Sequence, residues 1–415
     1  MSVQALHAGR ALDASRARAA PRIGLFGLFG SGNVGNDGSM EAMLNFVRAA
    51  RPDAHVMCIC ADPDYVAKAF GVPAVEIGPA VDDTPLGRLL AKAMPTRKLL
   101  QWLRALKNLR GLDVLIVPGT GILDDFSERF WGSPASLFGW CLAARLRGVR
   151  IAFVSVGAGP ITHSLSRALM KGAARMAQYR SYRDTVSKEF MASIGFDTAR
   201  DPVYPDIAFA LPAPATCKPP AASETLTVGV GVMAYFGWRG DAERGAEIYA
   251  TYLGKLARFT LWLLDQGHRV RILMGETTDL RAIDDLLARL AAERPHFPRE
   301  RVTAEPVCSL HDLMAQIAET QVVVATRFHN IVCALKLGRP SISIGYARKN
   351  DVLMAEMGVG GFCQHIERLD VDLLMRQFTT LMAGYTRYAH GIAEMNRIYA
   401  RRLAAQEQHL LDSVL

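Results

Sequence analysis

Cysteine is scarce in this chain: seven residues in 415, an odd number with no repeated paired spacing. That argues against a disulfide framework and favours a reducing compartment, so the expected location is the cytoplasm. Cys58 and Cys60 sit two apart in the apolar run from His55 to Ala61, so both point to one face and read as core thiols. No stretch approaches eighteen uninterrupted apolar residues, which excludes a membrane-spanning helix. No cluster of His, Cys and carboxylates has metal-ligand spacing, so no metal or cofactor is expected. Recognition helices, zinc fingers and aromatic RNA-binding strands are absent too, and nucleic acid is not an expected partner. Residues 1–20 are rich in Ala and Arg without an apolar signal core, and read as a disordered tail.

What is present is ordinary for a soluble enzyme, with 50% hydrophobic and 21% charged residues. The length suits two domains, each able to bury a core. A net charge of +8 favours anionic partners: phosphates, acidic sugars or a membrane surface.

Strand-like and helix-like segments alternate in two series, which predicts α/β architecture with two Rossmann-like doubly wound domains. The first series has strands over Arg22 to Phe29, His55 to Cys60, Leu112 to Val117 and Val149 to Val156. A helix over Ser39 to Ala50 carries Met40, Met43, Leu44 and Val47 at helical spacing. The second series has strands over Leu226 to Val232, His268 to Met274, Gln321 to Thr326 and Ser341 to Tyr346. The expected division is a first domain over 21–211, a Pro- and Ala-rich linker over 212–224, a second domain over 225–365 and C-terminal helices over 366–415. Those last helices are long enough to pack back across the first domain. Two such domains around a cleft have the outline of the GT-B fold, and fold alone does not give function.

Candidate site residues lie at the strand ends, where open α/β sheets bind ligands. Arg327 and His329 follow one strand, Arg348 and Lys349 the next, so three cations and a histidine are expected to converge on a small anion. After the first strand, Gly30 to Gly38 satisfies G-x-G-x-x-G and leads into a helix, offering backbone N–H groups to an anion. Asn33, Asn36 and Asp37 add hydrogen-bonding side chains that suit a hydroxyl-rich ligand at least as well as a pyrophosphate. Further turns follow the third strand (Pro118, Gly119, Thr120, Gly121, then Asp124 and Asp125) and the fourth (Gly157, Ala158, Gly159, Pro160). Plain tight turns are the bland alternative for each.

Taken in order, these motifs resemble the polysaccharide pyruvyl transferases. The resemblance rests on G-N-x-G-N (Gly32, Asn33, Gly35, Asn36), P-G-T-G-x-L-x-D ending at Asp125, and G-A-G-P. It continues through R-D-x-x-S (Arg183, Asp184, Ser187), the Pro205–Asp206 pair, R-x-H (Arg327, His329) and Y-x-x-K (Tyr346 to Lys349). It implies a GT-B-like enzyme that moves the pyruvyl group of phosphoenolpyruvate, as donor substrate, onto a sugar as a cyclic ketal. The donor would lie in the C-terminal domain on Arg327, His329 and Lys349, and Arg348 is added from position alone. The acceptor would lie in the N-terminal domain, against Gly32, Asn33, Gly35, Asn36, Gly119, Gly121 and Gly159.

The residue types fit such chemistry. A guanidinium grips carboxylate or phosphate in bidentate fashion, making Arg327 and Lys349 the expected anchors. His329 can serve as general acid or phosphate partner. The base that takes the hydroxyl proton is one of Asp124, Asp125 and Asp206, with Asp184 further back, and the sequence does not rank them. The alternative is a GT-B glycosyltransferase using a nucleotide sugar, for which Glu276 or Asp279 could hold a ribose. Finally, Thr84 to Gly111 carries Arg88, Lys92, Arg97, Lys98, Arg104, Lys107 and Arg110 with no acidic residue. Such a basic amphipathic surface either lies on anionic lipid, which would suit a lipid-linked acceptor and peripheral membrane contact, or is a solvated helical face.

Overall fold

The computed structural model describes residues 20–78, 94–126, 129–215, 225–238 and 242–415. Residues 1–19, the part of the basic stretch from Thr84 to Ala93, and 216–224 of the expected linker lie outside the described residues.

Two six-stranded parallel sheets form the frame. The first contains β1 (Arg22–Phe26), β2 (His55–Cys60), β3 (Ala74–Glu76), β4 (Val114–Pro118), β5 (Arg150–Val156) and β6 (Tyr179–Tyr182), ordered β3-β2-β1-β4-β5-β6. The second contains β7 (Thr227–Gly231), β8 (Arg269–Leu273), β9 (Val302–Ala304), β10 (Val322–Ala325), β11 (Ser341–Gly345) and β12 (Cys363–His365), ordered β12-β11-β10-β7-β8-β9. Ile23 pairs with Val56 on one side and Val114 on the other, and Val323 pairs with Gly229 and Ser341. Strand order therefore reverses between β1 and β4 and between β10 and β7. Crevices for ligands open at such switch points, outside the carboxyl ends of the strands.

The four strands missing from the sequence reading, β3, β6, β9 and β12, are the edges of the two sheets. They run three or four residues, and β3 and β12 are only partly buried, so they carry little of the apolar run that marks a central strand.

Helices connect the strands: α1 (Val34–Ala50), α2 (Pro63–Phe70), α3 (Met94–Asn108), α4 (Ser133–Leu146), α5 (Ser164–Met176) and α6 (Thr185–Ser193) around the first sheet. Around the second are α7 (Ala242–Asp265), α8 (Asp279–Glu293), α9 (Leu310–Ala318), α10 (Phe328–Lys336) and α11 (Arg348–Glu356). In α1 the expected stripe of Met40, Met43, Leu44 and Val47 is buried, each side chain worth about 1.5–3 kcal/mol of transfer free energy. The helix starts earlier than expected, however, so Gly35 and Gly38 are helical. The reason is packing. An ideal Cβ on Gly38 would lie 2.1 Å from Leu310 of α9, so the glycines that weaken the helix intrinsically also let the second unit approach.

Two C-terminal helices, α12 (Val371–Ala383) and α13 (Tyr385–Ser413), complete the chain. The second returns to the first unit: Gln406 donates to Ser155 Oγ at 2.9 Å and Ser181 Oγ at 3.0 Å, and Arg402 to the Val203 carbonyl at 3.0 Å. Among the described residues no helix is long and apolar enough to cross a membrane. Cys58 and Cys60 are fully buried, and burial pushes both thiols up to about 12, as expected of inert core residues.

Candidate active site

The carboxyl edges of the two sheets face each other across a cleft with two cavities. The first, about 720 Å³, is lined by Asn33, Asn36, Thr120, Glu276, Arg327 and His329 among others. The second, about 610 Å³, lies against Gly157–Pro160, one side of α6 from Val186 to Ser193, Trp238, Arg348 and His365. Asp124, Arg183, Tyr346 and Lys349 line both.

Arg327 caps α10 directly after β10, but its guanidinium is already matched. Nε and Nη2 donate to the two oxygens of Asp279 at 2.9 and 2.7 Å, and Nη1 meets Glu276 at 2.6 Å. Asp279 has no exposed surface and also accepts the backbone N–H groups of Ala234, Gly275 and Glu276. Two carboxylates against one guanidinium leave this cluster net negative. Arg327 therefore organises the turn after β8 rather than presenting an unopposed charge to an anion. The same contacts occupy both carboxylates that could have held a ribose.

His329 sits in the first turn of α10 and crosses to the first unit, where an ideal Cβ on Gly35 would fall 1.9 Å from its Nδ1. Its Nε2 lies 3.9 Å from Asp206 Oδ2, beyond hydrogen-bond reach. Burial pushes its pKa down to about 4, with Arg183 and Lys349 adding to the effect and Asp206 opposing it. It is therefore neutral near pH 7 when the cleft holds no anion. Asp206 accepts from Arg183 Nη1 at 3.1 Å and from the Ala208 N–H at 3.0 Å, capping the short 3-10 helix Ile207–Ala210. The Arg183 guanidinium lies 4.3 Å from the centre of the Phe328 ring.

Lys349, in the first turn of α11, makes no ion pair among the described residues, its Nζ 4.9 Å from the Tyr346 ring centre and 5.8 Å from that of Phe328. Asp124 faces it. Burial raises the Asp124 pKa, while Lys349, the Phe126 N–H and Arg183 pull it down. A carboxylate between two cations at the boundary of two cavities is placed to take or hold a proton. Beside it Phe126, Trp238 and Tyr346 pack ring on ring, with centroids 5.0 Å (Phe126–Trp238) and 5.4 Å (Phe126–Tyr346) apart. Nothing in their sequence spacing announced this cluster, because its members come from loops of both units.

The glycine loop is placed differently from its expected ligand role. Asn33 caps α1, accepting from the N–H groups of Gly35 and Asn36, and its Nδ2 donates to Glu276 at 3.5 Å. The Val34 N–H donates to the Gly275 carbonyl at 3.2 Å and the Thr277 N–H to that of Gly32 at 3.0 Å. Gly32 has φ +87, and a Cβ there would meet Thr277 at 2.3 Å. These groups join the two units instead of pointing N–H donors into the cleft. Gly30 N–H is taken by Asp37, whose carboxyl is buried and pushed up to about 6. Asn33 and Asn36 still line the first cavity with side-chain atoms.

Of the remaining sequence candidates, Gly121 lines the first cavity and Gly159 the second, and Gly119 is packed on Ile207 and Ser39. Asp125 is the clear correction: its carboxylate accepts the N–H groups of Thr162 and His163, at 2.8 and 2.9 Å, and lines neither cavity. Asp184 is the N-cap of α6, accepting from Ser187 N at 2.6 Å. Arg348 is exposed at the rim of the second cavity. Among the described residues no group of three His, Cys, Asp or Glu side chains is arranged to hold a metal ion.

Comparison with known proteins places this geometry. The chain aligns over its full breadth with a protein of Listeria monocytogenes assigned as a UDP-N-acetylglucosamine 2-epimerase (12% identity, TM-score 0.58, 95% of this chain and 98% of that one). The UDP-GlcNAc 2-epimerase of Neisseria meningitidis, solved with UDP-GlcNAc, gives 11% identity, TM-score 0.55 and coverage of 93% and 100%. The lipopolysaccharide outer core galactosyltransferase WaaB gives 13%, 0.52, 93% and 99%. At such identities the likeness shows the GT-B fold alone. No curated protein sequence matches. The profile of the polysaccharide pyruvyl transferases matches residues 33–348, from the cap of α1 to the first residue of α11, and the chain belongs to that family of transferases.

Proposed function

We propose that this enzyme transfers the pyruvyl group of phosphoenolpyruvate to a pair of hydroxyls on a saccharide, releasing phosphate. The observation that supports it most, beyond family membership, is the convergence of Lys349, Arg183 and Asp124 where the two cavities meet, with His329 on the wall of the first. A trianionic donor needs cations that are not cancelled, and Lys349 supplies the least opposed one.

The donor occupies the first cavity, with its phosphate or carboxylate against Lys349, while Arg183, matched by Asp206 at 3.1 Å and Asp184 at 3.6 Å, orders the wall beside it. The saccharide enters through the second, where Trp238, Tyr346 and Phe190 offer apolar faces to a sugar ring. The arriving anion raises the pKa of His329, which takes up a proton and passes it to the methylene carbon of the donor. Asp124 accepts the proton of the first hydroxyl as its oxygen bonds to the adjacent carbon. The second hydroxyl oxygen then displaces phosphate from that carbon, and its proton leaves with the phosphate. One carbon–hydrogen bond and two carbon–oxygen bonds form; the carbon–carbon π bond of the donor, its carbon–oxygen bond to phosphate and the two hydroxyl O–H bonds break; hydrogen phosphate departs, and Asp124 returns its proton to solvent. Arg327 acts through Asp279 as a positioning residue, holding the turn on which the glycine loop rests.

The lipid-linked form of the acceptor belongs to the same proposal. Its support is the acid-free basic segment beside the first unit. The test of donor class is calorimetry with phosphoenolpyruvate and a panel of nucleotide sugars. Selective binding of phosphoenolpyruvate is expected, and selective binding of a nucleotide sugar would overturn the reading.

A further inference from the structure

Residues 84–112 contain no Asp or Glu, and neither do residues 129–183. In the fold these segments supply α3, α4 and α5, which pack side by side on one face of the first sheet over the core of Leu109, Leu137, Trp140 and Met170. The ends of α3 and α4 are tied together. Lys98 Nζ lies 3.1 Å from Ser136 Oγ, and Arg147 Nε donates to the Leu106 carbonyl at 3.0 Å.

This face is also unusually apolar for a solvent surface. Leu99 is 55% exposed, Leu103 50%, Leu146 61% and Leu165 45%, whereas elsewhere among the described residues the exposed large apolar side chains are Leu280 and Leu373. Along α3 the exposed Leu99, Leu103 and Lys107 recur every four residues, while the buried Gln101, Ala105 and Leu109 form the opposite face. Arg110, Arg145 and Arg150, at the C-terminal ends of α3 and α4 and the start of β5, are exposed as well. Two carboxylates beside these helices among the described residues are already engaged: Glu76 meets Arg104 at 3.4 Å, and Asp113 accepts the Arg22 N–H at 2.8 Å.

We propose that the α3–α4 face, extended by the start of α5, docks the enzyme on an anionic phospholipid bilayer. Exposed leucines among cations without interspersed acids are what an interfacial surface requires, since apolar side chains enter the headgroup region while Lys and Arg meet lipid phosphates. A polyanion such as nucleic acid would use the cations but leave the leucines without a role. The proposal does not depend on the identity of the donor or acceptor.

The test is co-sedimentation of the full chain with phosphatidylcholine vesicles, with and without about one-third phosphatidylglycerol, at about 0.1 M salt. Binding to the anionic vesicles and not to the neutral ones is expected, weakening as salt rises. Two variants probe the two components: Lys107→Glu with Arg145→Glu, and Leu99→Ser with Leu103→Ser. Each should bind vesicles roughly tenfold or more weakly while keeping the wild-type melting temperature. Wild-type protein left in the supernatant would overturn the proposal. So would vesicle binding unaffected by the leucine changes, or duplex DNA binding as tight as vesicle binding, since either would reduce the face to a general polyanion site.

Discussion

Gly35 and His329 touch across the cleft so closely that an ideal Cβ on the glycine would fall 1.9 Å from Nδ1 of the imidazole. Ala in place of Gly inside a helix ordinarily stabilises by about 1 kcal/mol. Here the overlap outweighs that gain, because His329 is enclosed and cannot swing away freely. Gly35→Ala should lower the melting temperature and reduce pyruvyl transfer strongly, and adding His329→Ala should recover the stability but not the transfer. Differential scanning calorimetry and a transfer assay on the two variants and the wild type check this.

Arg327 and Asp279 form a buried pair, and removing one partner of such a pair typically costs about 3–5 kcal/mol. Arg327→Ala should therefore destabilise the enzyme by that order, making its loss of activity uninformative about donor binding. Arg327→Ala combined with Asp279→Asn should be more stable than Arg327→Ala alone, because the unpaired buried charge is gone while a side-chain oxygen remains for the backbone N–H groups. Urea unfolding of both variants measures the difference.

Asp37 has its carboxyl pKa raised to about 6 by burial. The unfolded chain loses this proton near pH 4 and the folded protein near pH 6, so stability is lost as pH rises through that window and stays lost above it. Asp37→Asn, which can still accept the Gly30 N–H, should raise stability by about 1–3 kcal/mol at pH 7.5 and hardly at all at pH 4. Thermal melts at the two pH values decide it.

His329, with its pKa lowered to about 4, works in the opposite direction. Below about pH 6.5 the unfolded chain takes up a proton that the folded protein refuses, so stability falls as pH drops from 6.5 towards 4. Bound donor should reverse the refusal: phosphoenolpyruvate binding should take up more protons in the wild type than in His329→Gln. Calorimetry near pH 7 in buffers of different ionisation enthalpy measures that uptake.

Asp124→Asn should abolish most transfer, by about a hundredfold or more, while leaving donor affinity within a few-fold of wild type. Asp125→Asn should instead act on stability, through the Thr162 and His163 N–H groups it caps. Comparing kcat with the donor dissociation constant for both variants separates the two roles.

Much of the fold was legible in the chain because the eight central strands are mostly apolar, with only isolated polar residues such as Arg271 and Ser343 inside them, and end in glycine or charged turns. The edge strands β3, β6, β9 and β12 were not, since three or four residues with one open side leave no period to read. The site was legible as a set of strand ends: of the expected set, Arg327, His329 and Lys349 line the first cavity and Arg348 the second, while Asp124 was one of several unranked carboxylates. What could not be read was the pairing inside it. Whether an arginine faces a ligand or a carboxylate depends on residues some fifty positions away, as Asp279 does for Arg327, and neither carries a local signal. The glycine loop misled for a related reason. Gly32 and Gly35 are required by close approach, as phosphate loops are, but what approaches is the other half of the protein.

The most direct measurement is calorimetric titration of phosphoenolpyruvate into the wild type and Lys349→Ala, with melting temperatures taken alongside. Lys349 makes no ion pair among the described residues, so its removal should leave stability nearly unchanged and weaken donor binding roughly tenfold or more. Wild-type affinity in a folded Lys349→Ala protein would contradict the placement of the donor where the two cavities meet.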